Sequence, residues 1–118
     1  MNKFDLLSKA IEIVESRGTD YGNVLDNHIR IASIWSVILE HPVKPEQVAL
    51  CMAGTKIARL IQTPTHLDSW LDLAGYASVG SECVQASVER ASTQGIERPV
   101  QRQQSNEQSQ QGESHADQ

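Results

Sequence analysis

Asp68 and Asp72 stand four residues apart in a segment of helical periodicity, so a helix sets their carboxylates side by side. Like charges at that spacing repel, and a divalent cation between them turns the repulsion into binding. Mg²⁺ and Mn²⁺ are the cations that favour carboxylate oxygen. The plain alternative for Asp68 is a capping box with Thr65 at a helix N-terminus. Glu12 and Glu15 form a second acidic pair, Glu-Ile-Val-Glu, in which Glu15 borders an apolar face and Glu12 points further out. They are either further metal ligands or a solvated face.

The cationic side chains are as suggestive. Lys56 falls in the apolar stripe of Ala49, Met52, Ala53 and Leu60, where a lysine either snorkels to water or reaches into an acidic pocket to hold a phosphate. Arg59, close to the same face, could grip a phosphate through two parallel hydrogen bonds. Asn27 lies in line with Ile31 and Ile34, and a ligand base or a neighbouring helix must satisfy its carboxamide. The segment Arg17-Gly-Thr-Asp-Tyr-Gly22 reads as a loop able to close over a nucleotide, with Tyr21 stacking; an ordinary interhelical turn would look the same. Trp35 and Trp70 read as core.

Several chemistries have no support. Neither the Gly-x-x-x-x-Gly-Lys-Ser/Thr loop nor Gly-x-Gly-x-x-Gly occurs. Cys51 and Cys83 do not have zinc spacing, and both sit in periodic apolar segments, as packed thiols of a reducing compartment do. His28, His41, His66 and His115 are scattered.

Four helical segments must position these residues, at about Lys3 to Arg17, Val24 to Glu40, Pro45 to Gln62 and His66 to Arg90. The first carries Phe4, Leu7, Ile11 and Val14 on one face, and the second aligns Val24, Ile31, Ile34, Trp35 and Ile38. Pro45 suits the first position of the third helix and Thr65 the cap of the fourth. The fourth carries Leu67, Trp70, Leu73, Ala74, Ala77 and Val84 on one side and Asp68, Asp72, Tyr76, Val79 and Cys83 on the other. A helix apolar nearly all round is a central, buried one. Short connections favour antiparallel neighbours, so the expected architecture is an all-α four-helix bundle over residues 1–92.

Residues 93–118 are expected to form a disordered tail, because residues 101–118 hold seven Gln and three Ser with Ala116 as the one apolar side chain. Ten basic against fifteen acidic residues, net −5, argue against a nucleic-acid partner. No apolar run is long enough to cross a membrane and no signal-peptide core follows Met1, so a cytoplasmic protein is expected.

Tyr21-Gly22, Ile31-Ala-Ser-Ile-Trp35, Lys56-Ile-Ala-Arg59 and Asp68-Ser-Trp-Leu-Asp72-Leu-Ala-Gly-Tyr76, together with Glu12-x-x-Glu15, resemble a bacteriophage branch of the all-α nucleoside triphosphate pyrophosphohydrolases, the MazG-like superfamily. The resemblance spans residues 1 to about 90. It implies a MazG-like bundle, assembled as a homodimer or homotetramer, that converts a nucleoside triphosphate, (d)GTP in the nearest branch, to the monophosphate and pyrophosphate. It further implies Mg²⁺ or Mn²⁺ held by Glu12, Glu15, Asp68 and Asp72. Lys56, Arg59 and Asp72 would then act on the phosphates, and Arg17, Tyr21, Asn27 and Trp35 would hold the substrate. The family's second acidic motif is Glu-x-x-Asp; here Asp68-x-x-x-Asp72 stands in its place, with Asp72 matching the final aspartate. A bundle this small would struggle to enclose a nucleotide alone, which favours a site shared between subunits. The competing expectation is a helical module without catalysis, binding nucleotide or protein, in which Asp72 pairs with Lys56 or Arg59.

Overall fold

The computed structural model describes the backbone of residues 1–21 and 23–93, and the side chains among them other than those of residues 19–21. Four helices follow in chain order: α1 (Lys3–Tyr21), α2 (Val24–Leu39), α3 (Pro45–Gln62) and α4 (Leu67–Thr93). Among the described residues there is no strand. Residues 1–85 form one compact unit; of the second unit, 86–118, the described residues are the closing turns of α4. The expected tail lies outside the described residues apart from Thr93, whose hydroxyl bonds the Glu89 carbonyl in the last helical turn.

Local chemistry accounts for the helix ends. At the start of α1, the Asn2 side chain accepts from the Asp5 amide at 2.9 Å and the Asp5 carboxylate accepts from the Asn2 amide at 3.3 Å, a reciprocal cap. Asn23 caps α2, its Oδ1 accepting from the amides of Leu25 and Asp26. Helix α2 stops at Glu40, which adopts the left-handed conformation with φ 53° and donates its amide back into the last turn. Ser36 secures the following turn, donating to Ala32 O and accepting from the Val43 amide at 2.8 Å. Pro45 opens α3 as expected, with the Lys44 amide bound to Gln47 Oε1.

Two ends differ from expectation. Helix α1 continues through Gly18 to Tyr21, because a helical glycine costs only about 1 kcal/mol and nothing else there stops the helix. Arg17, expected at the end of the first helix, therefore lies a turn inside α1. Helix α4 begins at Leu67, and His66 organises its start in place of the expected Thr65 cap: its carbonyl accepts from the Ser69 amide and its Nδ1 lies 2.7 Å from Ser69 Oγ.

The core is small. Ala10, Ala32, Val48, Ala49, Leu60, Leu71, Val79 and Cys83 are its buried apolar members, with His28 and Ser69 as buried polar ones. Small residues let the helices approach closely, and a Cβ on Gly80 would stand 3.3 Å from that of Ala49, which shows how near α4 comes to α3. Burial lifts the Cys83 thiol above its ordinary pKa, and the neighbouring Glu46 and Glu82 carboxylates push it the same way.

Which faces point inward corrects the reading from periodicity. Helix α1 turns Ala10 and Val14 inward and leaves Phe4, Leu7 and Ile11 exposed. On α2, Ile34 and Ile38 are exposed and Ala32 and His28 are buried. The inner side of α4 is the one with Asp72, Tyr76, Val79 and Cys83, while Leu67, Trp70 and Val84 lie on the outer side. Trp70, expected in the core, is 43% exposed and donates its indole N–H to Pro64 O, pinning the α3–α4 turn. Trp35 is half-buried, and Cys51, also expected to be packed, is exposed. One chain has too few partners for all its apolar stripes, and the outer faces stay open.

Candidate functional site

The inner face of α4 brings Asp72 opposite residues of α1 and α3. Lys56 Nζ lies 3.1 Å from Asp72 Oδ2, and an Arg17 guanidinium nitrogen lies 3.5 Å from Oδ1. The Asp72 side chain is 20% exposed and that of Lys56 28%, so this ion pair is partly withdrawn from water; Arg17, at 54%, reaches it from the solvent side. A carboxylate on a mostly buried helix face needs such partners, since an unpaired charge there is costly. Lys56 thus carries its stem through the apolar stripe of α3 and ends on an acid.

Beside this cluster the four helices of the first unit line a solvent-open cavity of about 870 Å³. Its walls are mainly apolar, from Val14, Val24, Ile31, Val48, Met52 and Val79, and its polar groups are those of Arg17, Asn23, Asn27, His28, Tyr76 and Glu82. The volume falls within the range of small-molecule sites, and a few polar groups in an apolar lining are what orients a bound ligand. His28 is buried, with Nδ1 3.0 Å from Val24 O. Donation of the Nδ1 proton to that carbonyl leaves Nε2 as an acceptor.

The expected site residues divide into three groups. Arg17, Lys56 and Asp72 meet in one cluster, and Arg17 and Asn27 line the cavity. Arg59 stands apart: its guanidinium lies 3.4 Å from His66 Nε2, and the same imidazole reaches Ser69 through Nδ1. Trp35 is half-buried and is not in the cavity wall, and the Tyr21 side chain lies outside the described residues.

Of the acids, Glu12 is exposed and paired with Lys9 at 3.5 Å, Glu15 and Asp68 are exposed, and both oxygens of Asp72 face cations. Among the described residues no three His, Cys, Asp or Glu side chains are grouped closely enough to hold a metal ion.

Sequence reasoning passed over His28, Met52, Tyr76 and Glu82 as site residues. The signal for the last two was present: Asp72, Tyr76 and Val79 recur at helical spacing on one side of α4, and Glu82 continues that line. His28 follows Asn27 directly and shares the cavity wall.

Among the described residues no helix is long and apolar enough to cross a membrane. The chain is 41% identical over 76 residues to the Gene 55 protein of Mycobacterium phage L5, a match covering 63% of this chain and 49% of that protein. With the Gene 55 protein of Mycobacterium phage D29 it shares 34% identity over 85 residues, 71% of this chain and 56% of the relative. The chain spans about half the length of these curated relatives. No solved structure matches it. Residues 5–84, which include the cation–carboxylate cluster and every residue of the cavity wall, match one family model, and the chain belongs to that family, described as "Domain of unknown function (DUF6378)".

Proposed function

We propose that this chain is a nucleoside triphosphate diphosphohydrolase that takes (d)GTP to (d)GMP and pyrophosphate. The observation that carries the reading is the cavity of about 870 Å³ lying beside the paired cations Arg17 and Lys56. An apolar chamber with a few polar groups suits a nucleoside, and two convergent cations suit its phosphates. The resemblance to the MazG-like superfamily, carried by Lys56-Ile-Ala-Arg59 and the Asp68 to Tyr76 segment, supports the same chemistry.

The oxygen of a water bonds to the α-phosphorus as the α–β phosphoanhydride bond breaks, the bridging oxygen leaves with pyrophosphate, and the proton of that water passes to solvent, giving nucleoside monophosphate and pyrophosphate. Lys56 and Arg17 stabilise negative charge that develops on the phosphates. Asp72, fixed on α4, holds both cations in register in the absence of substrate. Mg²⁺ or Mn²⁺ on the triphosphate would add to the charge neutralisation that Lys56 and Arg17 supply. The exposed apolar residues Phe4, Leu7 and Ile11 of α1 support assembly into a homodimer or homotetramer.

A second reading is nucleotide binding without turnover, favoured by the fact that both Asp72 oxygens are already engaged by cations. Incubation with each common ribo- and deoxyribonucleoside triphosphate and Mg²⁺ or Mn²⁺, followed by ion-exchange separation, distinguishes the two. Monophosphate and pyrophosphate from guanine nucleotides support the enzyme. Nucleotide that returns intact while stabilising the protein against heat supports the binding module.

A further inference from the structure

We propose that Glu82 is the residue that reads the base edge of the guanine nucleotide; this rests on the nucleotide reading above. Helix α4 runs the length of the site. Asp72 marks the cationic end, and Tyr76, Val79 and Glu82 follow on the same side. The axial rise from Asp72 to Glu82 is about 15 Å, the reach of a nucleoside triphosphate from its phosphates to the far edge of its base. A nucleotide with its phosphates on Arg17 and Lys56 therefore places the base edge at Glu82, with Met52 and Val79 supplying apolar wall.

Glu82 is the acid in the cavity wall, and the salt bridges among the described residues, Lys9–Glu12, Arg17–Asp72 and Lys56–Asp72, do not include it. Asp72, by contrast, is engaged by two cations, and Glu12 by Lys9. An ionised carboxylate only accepts hydrogen bonds, so it is matched by a base edge that offers two adjacent donors. Guanine offers N1–H and the N2 amino group side by side. Adenine and cytosine set an amino group next to an acceptor nitrogen, and uracil and thymine flank one N–H with two carbonyls. Facing any of these four, the Glu82 carboxylate would meet at least one acceptor, which disfavours them relative to guanine.

The test is calorimetric titration of the full chain with the α,β-methylene analogues of GTP, ITP and ATP, which resist cleavage at the bond in question. The wild type should bind the guanosine analogue at least about tenfold more tightly than the other two. Glu82→Gln should weaken the guanosine analogue about tenfold and bring all three together, while Glu82→Asp should keep their order. Glu82 is exposed, so both variants should keep the wild-type circular dichroism. Equal binding of the three analogues by the wild type, or a guanine preference that survives Glu82→Gln, overturns the assignment and leaves the nucleotide site standing. No binding of any analogue overturns both.

Discussion

Replacing Asp72 by Asn tests whether the cation cluster is structural, functional or both. The Lys56–Asp72 contact, at 3.1 Å with both side chains less than a third exposed, belongs with hydrogen bonds to charged groups worth about 1.5–3 kcal/mol. Arg17 stands at 3.5 Å and is more than half exposed, so its pair contributes at most about 0.5 kcal/mol. Asparagine preserves the shape and one acceptor, and the expected loss is about 2 kcal/mol. In a domain of this size that lowers the melting temperature by about 10 °C. Urea denaturation followed by circular dichroism should show an unchanged native baseline and an earlier midpoint. A double-mutant cycle with Lys56→Met should return a coupling of about 1–2 kcal/mol. The same Asp72→Asn protein, still helical, should have lost nucleotide turnover, because Lys56 and Arg17 are no longer held in register. A coupling below about 0.3 kcal/mol would refute the energetic argument, and a folded Asp72→Asn variant with full turnover would refute the functional one.

Other substitutions test the packing. Gly54→Ala, where an added methyl meets nothing within 4 Å, should stabilise the protein by about 0.5–1 kcal/mol, whereas Gly80→Val, set against Ala49, should destabilise it by about 1–3 kcal/mol; urea midpoints of opposite sign check this. Asn23→Ala removes the α2 cap and should cost about 1 kcal/mol by the same measurement. Ellman's reagent should label Cys51 in the native protein and Cys83 only after denaturation. Because the folded Cys83 pKa is raised, the unfolded thiol ionises first. Its contribution to stability is complete below about pH 9 and is lost as pH rises through the folded value, so stability measured against Cys83→Ala should fall in that alkaline window.

Much of the fold was legible because local chemistry governs it. Pro45 and the Gln62-Thr-Pro segment bound α3 where expected, and Asn23 and Glu40 bracket α2. What periodicity alone could not decide is which of two apolar faces turns inward. On α1 and α4 both faces could be buried, and close approach through Ala10, Ala32, Ala49 and Gly80 favours the small-residue sides over those of Phe4, Leu7 and Trp70. The Lys56 reading was legible because a lysine in an apolar stripe must end on something, and Asp72 is that partner. That Arg17 also reaches Asp72 was not legible, since it depends on how α1 packs against α4. Arg59 was misplaced for a related reason: its turn of α3 faces His66 at the head of α4 rather than the cluster.

Cleavage of the α–β phosphoanhydride bond is read directly from the ³¹P NMR spectrum of GTP and Mg²⁺ followed over time with the purified chain. The triphosphate resonances should give way to those of a nucleoside monophosphate and pyrophosphate in equal amounts, and the Lys56→Met protein should leave them unchanged. Triphosphate resonances that persist with the wild-type protein, or conversion to diphosphate and orthophosphate, would contradict it.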